Sequence, residues 1–194
     1  GSSPALSNDG SVLYLGDVNG RVAALDTANG TDNWGGTGQV TGRIRGNFAV
    51  GPNDNVYFAS TNRRLYAFQD NGNSATELGN FQFSGSLTRQ SPEVNASNQV
   101  FFSAPNGRVY CLDGTNPASW GNSTNLDGTH WEAAMSQGTQ STVTLDASGD
   151  VAYVGSNNNR VHAFVDPVDI SLSIANGVML NPANLTNLGN GYDP

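Results

Sequence analysis

The chain has no lysine. Its eight basic residues are all arginine, set against 16 acidic ones, and only 12% of its 194 residues carry charge. The formal net charge is -8. Such a surface repels phosphate backbones and anionic lipid, so no nucleic acid partner and no membrane insertion are expected. No run of 18 apolar residues occurs, which removes a spanning helix from the expectations. Cysteine is almost absent as well. Cys111 stands alone in an apolar run, so an internal disulfide is excluded and a small buried hydrophobe is expected. The chain lacks a Gly-x-Ser-x-Gly elbow, a phosphate loop and a His-Glu-x-x-His pair. No catalytic residue is therefore assigned, and the balance leans away from an enzyme. No charged-then-apolar leader opens the sequence. The polar, lysine-free style leads us to expect an extracellular or periplasmic protein of a bacterium.

Asn, Gly, Ser and Thr supply the polarity instead. Asn and Gly serve the positive-φ positions of tight turns, so the composition suits a turn-rich β protein. Four segments repeat. Val12–Gly16, Val56–Ser60, Val100–Ala104 and Val151–Ser156 are apolar runs, each followed by an Asn/Gly turn and a second run opened by arginine. Those second runs begin at Arg21, Arg64, Arg108 and Arg160. Equivalent residues Val22, Leu65, Val109 and Val161 stand 43, 44 and 52 positions apart. A period of about 40 to 50 residues built from short strands marks propeller blades. The runs are apolar at nearly every position, as expected for sheets covered on both faces.

An innermost strand is expected before each hairpin, at 2–6, 46–50, 90–94 and 140–144. A fourth, outer strand is expected at 31–34, 76–83, 118–121 and 170–174. The fold class is thus all-β: a β-propeller of four four-stranded antiparallel blades at about 1–41, 42–86, 87–136 and 137–175. Residues 176–194 read as an irregular tail. Four blades form either a tight ring, half of an eight-bladed ring completed by a homodimer, or part of a longer array.

The segment Ala24-Leu25-Asp26-Thr27-Ala28-Asn29-Gly30-Thr31-Asp32-Asn33-Trp34 resembles the tryptophan-docking motif of the PQQ-type (quinoprotein-like) β-propeller repeat. The resemblance implies docking roles for Ala24, Asp26, Gly30 and Trp34, with the indole filling the wedge between radiating sheets. The third repeat keeps Asp113 and Trp120 but places Cys111 at the alanine position. The second and fourth repeats lack the tryptophan, and Phe81 or Phe83 is its expected substitute in the second. The family spans quinone-dependent dehydrogenases, a scaffold lipoprotein of outer-membrane barrel assembly and secreted modules. The dehydrogenases use vicinal cysteines and a Glu/Asn/Asp calcium site. With one cysteine, this chain is not expected to bind the quinone (PQQ) or calcium, and no other metal is assigned.

Four residues are candidates for ligand binding. Arg45 and Arg89 occupy equivalent positions, three residues before Phe48 and Pro92, and would bring two guanidiniums near the central channel. There they would either grip an anionic ligand or pair with nearby carboxylates. The long third connection holds Asp127, His130, Trp131 and Glu132. His130 with its two acidic neighbours is a weak metal candidate. Trp131 reads either as a displaced docking residue or as an aromatic that stacks on sugar. The arginines at 21, 64, 108 and 160 are too regular for a site and read as structural. The expected function is a non-catalytic binding or scaffold module with a protein or glycan partner. The alternatives are a fragment of a quinone-dependent alcohol or sugar dehydrogenase and a carbohydrate-binding propeller.

Overall fold

The computed structural model describes residues 2–85, 89–123, 129–165 and 168–172, the last segment and residues 129–130 as backbone only. The expected tail at 176–194 and Asp127 lie outside the described residues. Four sheets of four antiparallel strands follow one another along the chain. The first holds β1 (Ala5–Leu6), β2 (Val12–Gly16), β3 (Arg21–Asp26) and β4 (Gly38–Gln39). The second holds β5 (Ala49–Val50), β6 (Val56–Ser60), β7 (Arg64–Asp70) and β8 (Ala75–Gln82). The third holds β9 (Glu93–Val94), β10 (Gln99–Ala104), β11 (Arg108–Asp113) and β12 (Thr129–Ala134). The fourth holds β13 (Thr144–Leu145), β14 (Ala152–Ser156), β15 (Arg160–Val165) and β16 (Val168–Leu172). Each sheet is a meander in chain order, which is the propeller blade.

The central hairpins form where the repeat places them. Each turns at a residue with positive φ just before the repeating arginine: Gly20 at 83°, Arg63 at 68°, Gly107 at 83° and Asn159 at 62°. Each of these residues donates its backbone N–H three positions back, as from Arg63 to the Ser60 carbonyl at 3.0 Å. Glycine enters this region freely, whereas a side chain is strained there.

The outer strands need two corrections. Residues 31–34 do not form a strand. The Asp32 carboxylate accepts from the Trp34 N–H at 3.1 Å, an Asx turn, and the ladder resumes only at β4. Residues 118–121 do not form one either. Pro117, which has no N–H to give a ladder, starts a 3-10 turn over Pro117–Ser119 that closes with Trp120 N–H to the Pro117 carbonyl at 3.1 Å. The third outer strand is β12, past the expected position.

The blades pack face to face through three seams. Side chains alternate along a strand, so each blade sends odd and even positions to opposite neighbours. In the second blade Val56, Phe58, Tyr66 and Phe68 join the core shared with the first blade. Tyr57, Ala59, Leu65 and Ala67, from the same two strands, join the core shared with the third. The third blade splits likewise: Val100, Phe102, Tyr110 and Leu112 face back, while Phe101, Val109 and Cys111 face forward onto the fourth. Among the described residues no buried cluster joins the fourth blade to the first. Among the described residues the four blades form an open arc.

The chain has three tryptophans, and each lies in a different seam. Trp34 is fully buried between the first two blades, 5.6 Å from the Tyr14 ring and 6.3 Å from Phe68. Its indole N–H donates to Asp70 Oδ1 at 2.8 Å, and the Tyr14 hydroxyl donates to Asp70 Oδ2 at 2.7 Å. Burial first, and then this bond, drive the Tyr14 hydroxyl pKa far up. The motif behind Trp34 is a turn: Asp26 accepts from the Ala28 N–H at 2.7 Å, and Gly30 sits at φ 75°. Ala24, fully buried, leaves the indole its space. The seam between blades two and three takes its indole from the other side. Trp120 faces back onto Tyr57, with ring centres 6.0 Å apart, and donates to the Asp113 carbonyl at 2.7 Å. Phe81 and Phe83 fill the rest of that seam, where the second repeat lacks a tryptophan.

Three substitutions check this account by urea unfolding. Trp34→Ala should cost about 3–5 kcal/mol. Asp70→Ala strands two seam donors, each worth roughly 1–3 kcal/mol. Arg63→Gly relieves the turn and should raise stability by up to about 1 kcal/mol.

Candidate functional site

The segments leading into the inner strands run side by side. Gly46 has no room for a Cβ, which would stand 2.4 Å from the Gln90 carbonyl oxygen. Asn47 N–H donates to the Ser91 hydroxyl at 2.6 Å, and the Gln90 side chain donates to the Thr139 carbonyl at 2.8 Å. These bonds tie the second, third and fourth blades together at their inner ends. Arg45 and Arg89 precede the two touching residues, and both side chains are exposed. Among the described residues the ion pairs are Arg21–Asp32 and Arg108–Glu132, and no described carboxylate pairs with Arg45 or Arg89. Glu93 on β9 is the acidic residue of the described inner strands. It keeps contact with water, yet the protein crowding around it raises its carboxyl pKa. Two exposed guanidiniums on adjacent, joined segments, with no ion pair among the described residues, suit the binding of carboxylates.

Three of the four repeating arginines bond within their own blades. Arg21 bonds Asp32, Arg64 bonds the Asn80 side-chain oxygen and Arg108 bonds Glu132, in each case reaching toward the outer edge of the same sheet. Their partners are side chains of the outer segment rather than turn backbone. Glu132 is thereby engaged with Arg108. His130 contributes backbone to β12, and its side chain lies outside the described residues, as does Asp127. Among the described residues no group of three metal-ligating side chains comes together. Trp131 is 7% exposed and wedged between Phe101 and Phe164, 5.9 and 6.1 Å away. It fills the seam between blades three and four, where its rings have no face to offer a sugar. Cys111, fully buried, lines the same seam opposite Trp131. It is the single thiol of the chain.

Two features escape a reading of the sequence. Asp70, which latches Trp34 and Tyr14, aligns one place beyond Asp26 and Asp113, so the repeat does not flag it. The second is a polar hollow of about 290 Å³ lined by Arg63, Gln82, Ser84, Asn122 and Ser123. It forms where Ser123 N–H meets the Gln82 carbonyl at 2.8 Å, a contact between separate blades that periodicity does not foretell. In the turn between β1 and β2 Asp9 is held near pKa 2, chiefly by the Ser7 hydroxyl and then by Ser11.

No curated protein sequence matches the chain. Among solved structures it resembles BamB from Moraxella catarrhalis, with a TM-score of 0.63 at 14% identity. The alignment covers 87% of this chain and 46% of that one, so the chain spans just under half the length of that structure. At this identity the likeness speaks for the fold. The model of the PQQ-repeat family described as outer membrane protein assembly factor BamB matches residues 2–167. With its repeat, its blades and this match together, the chain belongs to that family.

Proposed function

We propose that the chain is a non-catalytic binding or scaffold module, secreted or periplasmic in a bacterium, that grips an acidic segment of a protein partner. The observation that carries this reading is the adjacent, exposed pair Arg45 and Arg89 at the inner ends of the blades, with no carboxylate partner among the described residues. A guanidinium matches a carboxylate with two parallel hydrogen bonds, and two of them on joined backbone lose little freedom on binding. The assembly factor named by the family model supports a protein rather than a small substrate as the partner. The proposal assigns no quinone, no calcium and no nucleic acid. A fragment of a quinone-dependent dehydrogenase rests on shared fold alone. A glycan-binding propeller would need an aromatic other than Trp131.

Two measurements test the proposal. A fluorescent hexaglutamate peptide should bind the wild-type protein at low salt, and the double variant Arg45→Ala/Arg89→Ala should bind it at least about tenfold more weakly, near 1.4 kcal/mol. Equal binding by both proteins would reject the arginine grip. The pure protein, supplied with PQQ, calcium and a dye acceptor, should turn over no alcohol or sugar. Turnover would reject the non-catalytic reading.

A further inference from the structure

The charges of this chain are sorted by the direction of its strands. In the first three blades the third strand begins at an arginine and ends at an aspartate: Arg21 and Asp26, Arg64 and Asp70, Arg108 and Asp113. Arg160 opens the third strand of the fourth blade. The other arginines stand at the same end of the blades. Arg63 lies in the turn before β7, and Arg43, Arg45 and Arg89 lie in the crossings that lead to β5 and β9. Asp9, Asp54, Asp146 and Asp150 lie at the opposite end, in the turns between first and second strands. All eight arginines therefore share one end. Asp32 and Glu132 reach toward it and are taken up by Arg21 and Arg108. Asp17 turns its carboxylate onto the backbone N–H groups of Asn19 and Arg21, at 2.7 and 2.9 Å. A chain of net charge -8 thus presents a basic end.

Arg43, Arg45, Arg63 and Arg89 are exposed, and none has an ion pair among the described residues. Arg63 is the unusual member. It takes φ 68° where the first and third blades have Gly20 and Gly107 and the fourth has Asn159. Arginine is strained there, and a strained residue that glycine could replace points to a use for its side chain. That side chain lines the hollow of about 290 Å³ with Gln82, Ser84, Asn122 and Ser123. The Ser84 and Ser123 hydroxyls stand 3.2 Å apart in it. One guanidinium beside hydroxyl and carboxamide donors suits a carboxylate. Backbone contacts join this place to the inner pair. Thr61 N–H donates to the Arg43 carbonyl at 2.9 Å, and Ile44 bridges Ser60. We propose that Arg63 and its hollow form a second carboxylate subsite, which with Arg43 extends the Arg45–Arg89 grip into a track for one extended acidic segment. The proposal rests on the acidic-partner reading and adds the length of what is read. Three strand spacings make a blade about 14 Å across, so about five extended residues reach from the inner ends to the hollow. A narrow basic track on an otherwise acidic chain suits a single segment better than a broad anionic membrane.

Arg63→Gly tests the track, because it removes the guanidinium while relieving the turn. The variant should unfold at no lower urea concentration than the wild type, yet bind fluorescent hexaglutamate at low salt about fivefold more weakly. Equal binding by Arg63→Gly and wild type would overturn the second subsite. The inner grip would still stand if Arg45→Ala/Arg89→Ala lost binding, so the two readings fail separately. Binding lost in Arg63→Gly but kept in that double variant would overturn the track, since the hollow would then act alone. Vesicles of phosphatidylglycerol should not retain the wild-type protein. Retention that Arg63→Gly abolishes would overturn a peptide partner in favour of a lipid surface.

Discussion

Every blade in this molecule is apolar on both sides, and its strands divide their residues between two neighbours by parity. That constraint organises the whole structure. A blade standing alone would expose two greasy faces, so burial requires copies of itself on either side. Alternation along β6 and β7 shows the cost of misplacement: a slip of one residue would exchange the contents of two seams at once. The positive-φ turn before each arginine holds that register, and in the first three blades the arginine then ties the third strand toward the outer edge.

The seams widen outward, and large side chains close the gap. Trp34, Trp120 and Trp131 perform the same task from three different places in the repeat. Trp34 and Trp131 point forward, while Trp120 points back. The requirement is for one indole in the wedge, and the chain meets it without keeping a fixed motif position. Because these aromatics are spent on cohesion, chemistry available to a ligand is left to polar groups at the inner ends and rims. Arg45, Arg89 and the hollow around Arg63 are such groups.

Much of the fold was legible because a hairpin module recurring at a near-constant spacing, with alternate faces both apolar, has few other ways to hide its surface. The central hairpins and the second outer strand follow directly. The outer segments at 31–34 and 118–121 were misread because local side-chain and proline effects there outweigh strand propensity. The Asp32 carboxylate folds its backbone into a turn, and Pro117 cannot donate to a ladder. The candidate site was legible in part. Arg45 and Arg89 share a repeat position, so their adjacency could be read. That no carboxylate among the described residues pairs with them could not, since no pattern in the sequence tells where folding leaves the acidic side chains. Trp131 could be read in two ways until packing put it beside Phe101 and Phe164. Asp70 shows the opposite case, a residue that accepts two bonds from the preceding blade beside the one from its own Gly72 N–H.

Acrylamide quenching of tryptophan fluorescence tests the central claim most directly, because every seam carries one indole and every indole lies in a seam. If the blades stack as described, all three tryptophans are shielded together, and the native protein shows a single, strongly protected population. A fraction of the emission quenched as readily as free tryptophan would mean that at least one seam is open, and would contradict the account.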